Sequence, residues 1–248
     1  MPAARGGHVP ARTGPRLPAA SLLQPRALAA LLLACAALAG QAPADAQPAA
    51  GKAATPAASA PAAPVPSSNP VRPLGEAQLA AALRAGGLVV YFRHTATDFS
   101  RDDANMVAFD DCANQRPLSE AGRAQARAIG AQWRRLNLPV ARVLASPYCR
   151  TLETARLIFP QVKVEPADAA RGGPIVESGE RYAELKALFA TPLPPGGNLV
   201  IASHGNPFQA LAGSPYLREG EAAVLRPLGS GRWEVVARVL SEDWARLR

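Results

Sequence analysis

Residues 88–97 read LVVYFRHTAT, and the fold of the chain turns on them. Leu88 to Phe92 form an unbroken apolar, β-rich run, too short for a helix and without the alternation of a half-exposed strand. It predicts a strand buried on both faces. Arg93 and His94 stand at the C-terminal end of that strand. His94 is one of only three histidines among 248 residues, so its position there calls for a reason.

A strand buried on both faces needs helices on both sides of its sheet, and the downstream sequence alternates accordingly. LSEAGRAQARAIGAQWRRLN (118–137) opens on Ser119 as a cap and carries Ala126, Ile129, Trp133 and Leu136 at three- and four-residue spacing, the pattern of an amphipathic helix. ARVLAS (141–146) predicts a second strand, and PYCRTLETARLIF behind it a helix started by Pro147. A strand around VKVEP, a helix over GERYAELKALFA, the strand NLVIAS (198–203), a short helix from about Pro207 and a strand pair AAVLRPL and RWEVVARVL joined at GSG complete the series. The expected fold class is α/β: a three-layer α/β/α sandwich with a mostly parallel mixed sheet and an antiparallel element late in the chain. Ligands of such sheets bind beyond the carboxyl ends of the strands. There the sequence puts Arg93, His94, Ser146 with the following Arg150, and His204.

The first seventy residues are of another kind. Arg5, Arg12, Arg16 and Arg26 precede the apolar run ALAALLLACAALAG (27–40), and small-residue sites such as ADA (44–46) follow, the order of a secretory signal. The expectation is an export signal over 1–46 and a periplasmic or secreted protein. LLAC (32–35) resembles the lipobox of bacterial lipoproteins, and lipidation at Cys35 is the alternative, the one route by which this chain is expected to meet a membrane. Residues 47–74 are Ala, Pro and Ser with almost no charge and are expected to form a disordered linker, because they bury too little apolar area to offset their ordering entropy. The folded domain is expected over 75–248.

Four of the 27 basic and one of the 19 acidic residues fall within 1–46, leaving 23 against 18 and only a weak preference for anions. With no Lys/Arg tract and no basic residues interleaved with aromatics, nucleic acid is not an expected partner. Cys112 and Cys149 are the two cysteines beyond the leader and are expected to pair in an oxidising compartment, a bond that contributes about 3 to 4 kcal/mol on the chain-entropy model. No H-x-x-E-H or H-E-x-x-H spacing occurs, so neither a metal nor a cofactor is assigned.

Two histidines and two arginines at strand ends have a definite chemistry. Neutral imidazole is a competent nucleophile near neutral pH, and guanidinium presents paired donors that match phosphoryl oxygens. RHTAT (93–97), SPYCRTLETA (146–155) and SHGN (203–206) resemble, in order, the three motifs of the histidine phosphatase superfamily, the phosphoglycerate-mutase-like group, branch 1. RPLSEAGRAQA (116–126) is similar to the segment that lies between the first two motifs, and the resemblance runs over about residues 85–240. It implies His94 as the nucleophile of a phosphohistidine intermediate, Arg93 and Arg150 as the phosphate clamp, and His204 as a further phosphate ligand. By the same resemblance Thr97 would offer a hydroxyl near the phosphate, and Asn206 matches the asparagine of the family's HGN.

Two positions depart from the family's pattern. Thr95 stands where glycine usually follows the nucleophile, and a β-branched residue there restricts the loop. Gly205 stands where some members carry the aspartate that protonates the leaving oxygen, so the acid is sought among Glu177, Glu219 and Glu221, with Glu221 favoured because it opens a strand near the pocket. The expected activity is hydrolysis of a phosphomonoester, on a phosphorylated small molecule or a phosphoprotein. The alternative is a phosphate-binding protein without turnover. Neither the substrate nor the oligomeric state is legible.

Overall fold

The computed structural model describes residues 73–173 and 179–248. The expected export signal over 1–46, Cys35, nearly all of the expected linker over 47–74 and Glu177 lie outside the described residues. In chain order the elements are α1 (Glu76–Ala85), β1 (Val89–Arg93), α2 (Glu120–Arg135), β2 (Val140–Ala145), α3 (Cys149–Ile158), β3 (Val164–Pro166), α4 (Ala183–Ala190), β4 (Asn198–Ser203), α5 (Gly205–Ala212), β5 (Ala222–Gly229) and β6 (Arg232–Val239).

The six strands form one sheet in the order β3-β2-β4-β1-β5-β6. β1, β2, β3 and β4 run parallel, while β5 and β6 are an antiparallel pair laid against β1. Successive side chains of β1 enter opposite layers. Val90 and Phe92 join the cluster of α1, α2 and α3, around Leu83, Ile129, Trp133 and Ile158. Val89 and Tyr91 join that of α4 and α5, around Leu185, Phe189 and Phe208. That is the three-layer α/β/α sandwich, and it explains why LVVYF is continuously apolar. Among the described residues no helix is long and apolar enough to cross a membrane.

The register positions the chemistry. Arg93 faces Ser203 across β1 and β4, and Ala145 faces Ala202 across β2 and β4. The ladder continues one step past the strands, with His94 N donating to Ser203 O at 2.9 Å and Ser146 N to Ala202 O at 2.9 Å. His94, Ser146 and His204 therefore leave the sheet at one level.

The helix ends differ in detail from the sequence reading. Ser119 caps α2 as expected, its Oγ accepting from Gly122 N at 3.0 Å. α3 starts at Cys149, with Tyr148 as its N-cap, and Pro147 lies before it. α5 begins at Gly205, directly after His204 and two residues earlier than expected. The helix expected over 179–190 is a 3₁₀ turn, Gly179–Tyr182, followed by α4. α1 had no counterpart in the sequence reading: its buried face is Leu79, Ala80 and Leu83, and its cap is Gly75, whose N–H is held by the Gln78 side chain at 3.2 Å.

Gly122 shows how the helix layer meets the site. A Cβ there would lie 1.9 Å from Ala96 O, so the first turn of α2 rests directly on the backbone that follows His94. Ser119 N, 3.0 Å from the same carbonyl, locks that contact.

Candidate active site

His94 is 2 % exposed. Its Nδ1 lies 3.0 Å from Thr95 O and donates to it, which assigns the ring proton to Nδ1 and leaves the Nε2 lone pair for attack. Burial pushes its pKa down to about 3; the Thr95 carbonyl opposes that shift, while Arg150, Arg93 and Arg116 add to it. Burial thus favours the neutral imidazole.

His204 is the N-cap of α5, and its ring meets that of His94 edge-on with centroids 5.6 Å apart. Its Nε2 is 2.9 Å from Ser146 Oγ, the Tyr91 hydroxyl donates to its backbone oxygen at 2.7 Å, and the Tyr148 ring abuts it at 4.9 Å. Burial, then the neighbouring His94 and the same three arginines, hold its pKa well below the usual imidazole value.

Arg93, Arg150 and Arg116 thus act electrostatically on both imidazoles. Each has a buried Nε with no hydrogen-bond partner among the described residues. Buried donors are almost always paired, and three unpartnered Nε atoms on guanidinium groups around the two imidazoles are what an anion would satisfy. Their other contacts fix them in place. Arg93 Nη1 donates to Leu217 O at 2.8 Å, Arg150 lies over the Tyr148 ring at 4.5 Å, and Arg116 over Phe99 at 4.7 Å. Arg116 was missed as a site residue, although it opens the RPLSEAG segment; that position was the available signal.

Several expected residues arrive in other roles. Thr95 is fully buried, donates its N–H to Thr154 Oγ1 at 3.2 Å and has its hydroxyl at the same distance from that oxygen. The β-branched residue therefore ties the loop to α3 rather than crowding it. Thr97 Oγ1 donates to Glu219 Oε1 at 2.8 Å. Asn206 bridges two loops, donating to Gly173 O at 2.8 Å and accepting from the Tyr216 hydroxyl at 2.7 Å.

The glutamates divide. Glu221 is 4 % exposed, and its carboxylate pairs with Arg238 Nε at 2.7 Å and accepts from Arg218 N at 2.7 Å. The favoured acid is thus engaged in an ion pair with Arg238. Glu219 does reach the site. Its oxygens take Thr97 N and Oγ1, and Oε1 stands 3.6 Å from Arg93 Nη2 and 3.8 Å from His94 Nδ1. A Cβ at Gly205 would lie 2.1 Å from the Tyr216 ring, so a side chain there requires Tyr216 to move.

The connection between β1 and α2 brings one further residue. Asp103 Oδ1 accepts from Arg150 Nη1 at 2.9 Å and from Arg116 N at 2.9 Å. The Cys112–Cys149 disulfide binds this connection to the start of α3, next to Arg150, and Gln115 Oε1 takes Cys149 N at 2.9 Å.

Residues 89–171 match the family model of the histidine phosphatase superfamily (branch 1). That stretch holds the first two of the three motifs, together with His94, Arg116 and Arg150. Among solved structures the chain is similar to the protein histidine phosphatase SixA complexed with tungstate, at 20 % identity and a TM-score of 0.47, covering 65 % of this chain and 99 % of that one. It is also similar to a mycobacterial glucosyl-3-phosphoglycerate phosphatase with inorganic phosphate, at 16 % identity and a TM-score of 0.46, covering 60 % and 95 %. A third is a phosphoserine phosphatase mutant from Entamoeba histolytica in complex with phosphoserine, at 13 % identity and a TM-score of 0.40, covering 61 % and 95 %. The comparison with curated proteins found no match.

Proposed function

We propose that the chain is an exported phosphomonoesterase that works through a phosphohistidine on His94 without a metal. The observation that carries this reading is the set of three buried, unpartnered Nε donors around a neutral His94 whose Nε2 is free of its backbone hydrogen bond. Phosphoryl transfer needs in-line placement and charge neutralisation more than covalent assistance, and this site offers both. The branch 1 family match over 89–171 supports the same chemistry.

In the first step His94 Nε2 attacks phosphorus as the P–O ester bond breaks, and the leaving oxygen takes a proton. In the second, water attacks the phosphorus, the P–N bond breaks, and inorganic phosphate departs as the lost proton returns to the site. The arginines hold the phosphoryl oxygens through both steps. A bound phosphate dianion opposes the arginine field at His204 and favours its protonated form, so that His204 becomes a fourth donor. Export is supported by the arrangement of the first 46 residues and by the Cys112–Cys149 bond, which persists in oxidising compartments.

The test is hydrolysis of p-nitrophenyl phosphate in EDTA by the full chain beside His94→Ala. Turnover that falls at least about a thousandfold in the variant is expected for a lost nucleophile. Equal turnover in both proteins would remove His94 from the reaction, and vanadate binding without turnover would leave a phosphate-binding protein.

A further inference from the structure

The phosphatase reading requires an acid for the leaving oxygen, and the glutamates supply none in the right place. Glu221 is held by Arg238 and Arg218, and Glu177 is outside the described residues. Glu219 approaches the Nδ1 edge of His94 with Thr97 holding both of its oxygens. The leaving oxygen of an in-line displacement departs on the far side of phosphorus from the attacking Nε2, beyond the opposite edge of the ring.

We propose that Asp103, on the connection between β1 and α2, is the general acid and then the general base of this site. The inference rests on the phosphatase reading and goes beyond it by naming the proton carrier. Asp103 lies against the Arg150 guanidinium that would hold the phosphoryl oxygens, and both of its contacts there, Arg150 Nη1 and Arg116 N at 2.9 Å each, use Oδ1. Its side chain is 31 % exposed, so the carboxyl exchanges protons with solvent, whereas that of Arg150 is 6 % exposed and fixed. Two donors on one oxygen orient the carboxylate and assign Oδ2 as the proton carrier.

The balance is complete. The Asp103 carboxyl gives its proton to the ester oxygen as the P–O bond breaks and His94 Nε2 bonds to phosphorus. The resulting carboxylate takes a proton from the water that attacks phospho-His94, the P–N bond breaks, phosphate leaves, and the carboxyl is restored. The disulfide at Cys112 and Cys149 holds this connection against the start of α3, which keeps acid and clamp in one register.

The leaving group reads the role directly. An ester of an acidic phenol departs with little proton help, while an alkyl ester needs it. In the full chain, kcat/KM is measured for p-nitrophenyl phosphate and for a primary alkyl phosphate, in wild type, Asp103→Asn and Asp103→Glu. An acid predicts that Asp103→Asn loses about a hundredfold or more on the alkyl ester and less than about tenfold on the nitrophenyl ester. Asp103→Glu, which keeps the carboxyl, recovers part of the alkyl rate. Equal losses on both esters with no recovery in the glutamate variant would reduce Asp103 to an orienter of Arg150. Losses under about threefold on both would remove it from the reaction. Wild-type protein inactive on both esters would instead overturn the phosphatase reading, a different outcome from either.

Discussion

Part of the candidate site stands on strand ends and part arrives on loops, and the two parts are held by different forces. His94, Ser146 and His204 each follow the last residue of a central parallel strand, and ladder hydrogen bonds extended one step past β1 and β2 fix their level. Their separation is a property of the sheet. Asp103, Arg116 and Glu219 depend instead on side-chain ties: Asp103 on Arg150 and Arg116 N, Glu219 on Thr97, and the whole β1–α2 connection on Cys112–Cys149. Histidines placed by backbone and a charge set placed by loops would let one sheet keep its chemistry while the surroundings of a bound anion vary.

If the loop part matters as much as the strand part, Arg116→Ala should weaken catalysis as severely as Arg150→Ala. Removing one fixed donor from a buried anion site costs roughly a hundredfold or more in rate. Arg116→Lys should recover little of it, since an ammonium does not reproduce the planar fork. Steady-state kinetics on p-nitrophenyl phosphate settle the matter, and an Arg116→Ala enzyme within threefold of wild type would break the equivalence by taking Arg116 out of the clamp.

The glutamates sharpen the contrast at a smaller scale. Glu221→Gln removes the charged partner of Arg238, and breaking a pair that is buried on the glutamate side but a quarter exposed at Arg238 is expected to cost about 1 to 2 kcal/mol. Glu219→Gln disturbs Thr97 and Arg93 beside His94 and is expected to act on kcat/KM with less effect on unfolding. Denaturant unfolding and kinetics on the two variants should give opposite profiles. A catalytic defect in Glu221→Gln without loss of stability would return that residue to the chemistry.

How much of this was legible follows the same division. The LVVYF run, the Ser119 cap and the three strand ends are set by local pattern, and they led to His94, Arg150 and His204 with no tertiary information. Asp103 stands among Asp98, Asp102, Asp110 and Asp111 on one connection, and no local feature distinguishes it. Only the Arg150 contact does. Glu219 and Glu221 lie two residues apart, and which one reaches the histidines is decided by the turn before β5, where Gly220 takes φ +77° and donates to His94 O at 2.9 Å. α1 escaped the sequence reading because its Ala-rich face and glycine cap continue the composition of the linker ahead of it.

Protonation gives the smallest and most direct check on the strand-end part. An unfolded histidine titrates near 6.5, whereas burial and then the three arginines hold His94 down at about 3. Between those values the unfolded chain binds the proton and the native state does not, so the contribution of His94 to stability is complete above about pH 6.5 and falls as pH drops towards 3. Between pH 5 and 8 the His94 ring resonances of the free protein should therefore stay still. Inorganic phosphate adds negative charge beside both imidazoles and should move the His204 titration upwards, with a matching rise in midpoint temperature as the anion binds the native state alone. A His94 ring that titrates near 6.5 in the free protein would mean that water reaches the strand ends, and the neutral nucleophile would then have to be produced by substrate binding instead of by burial.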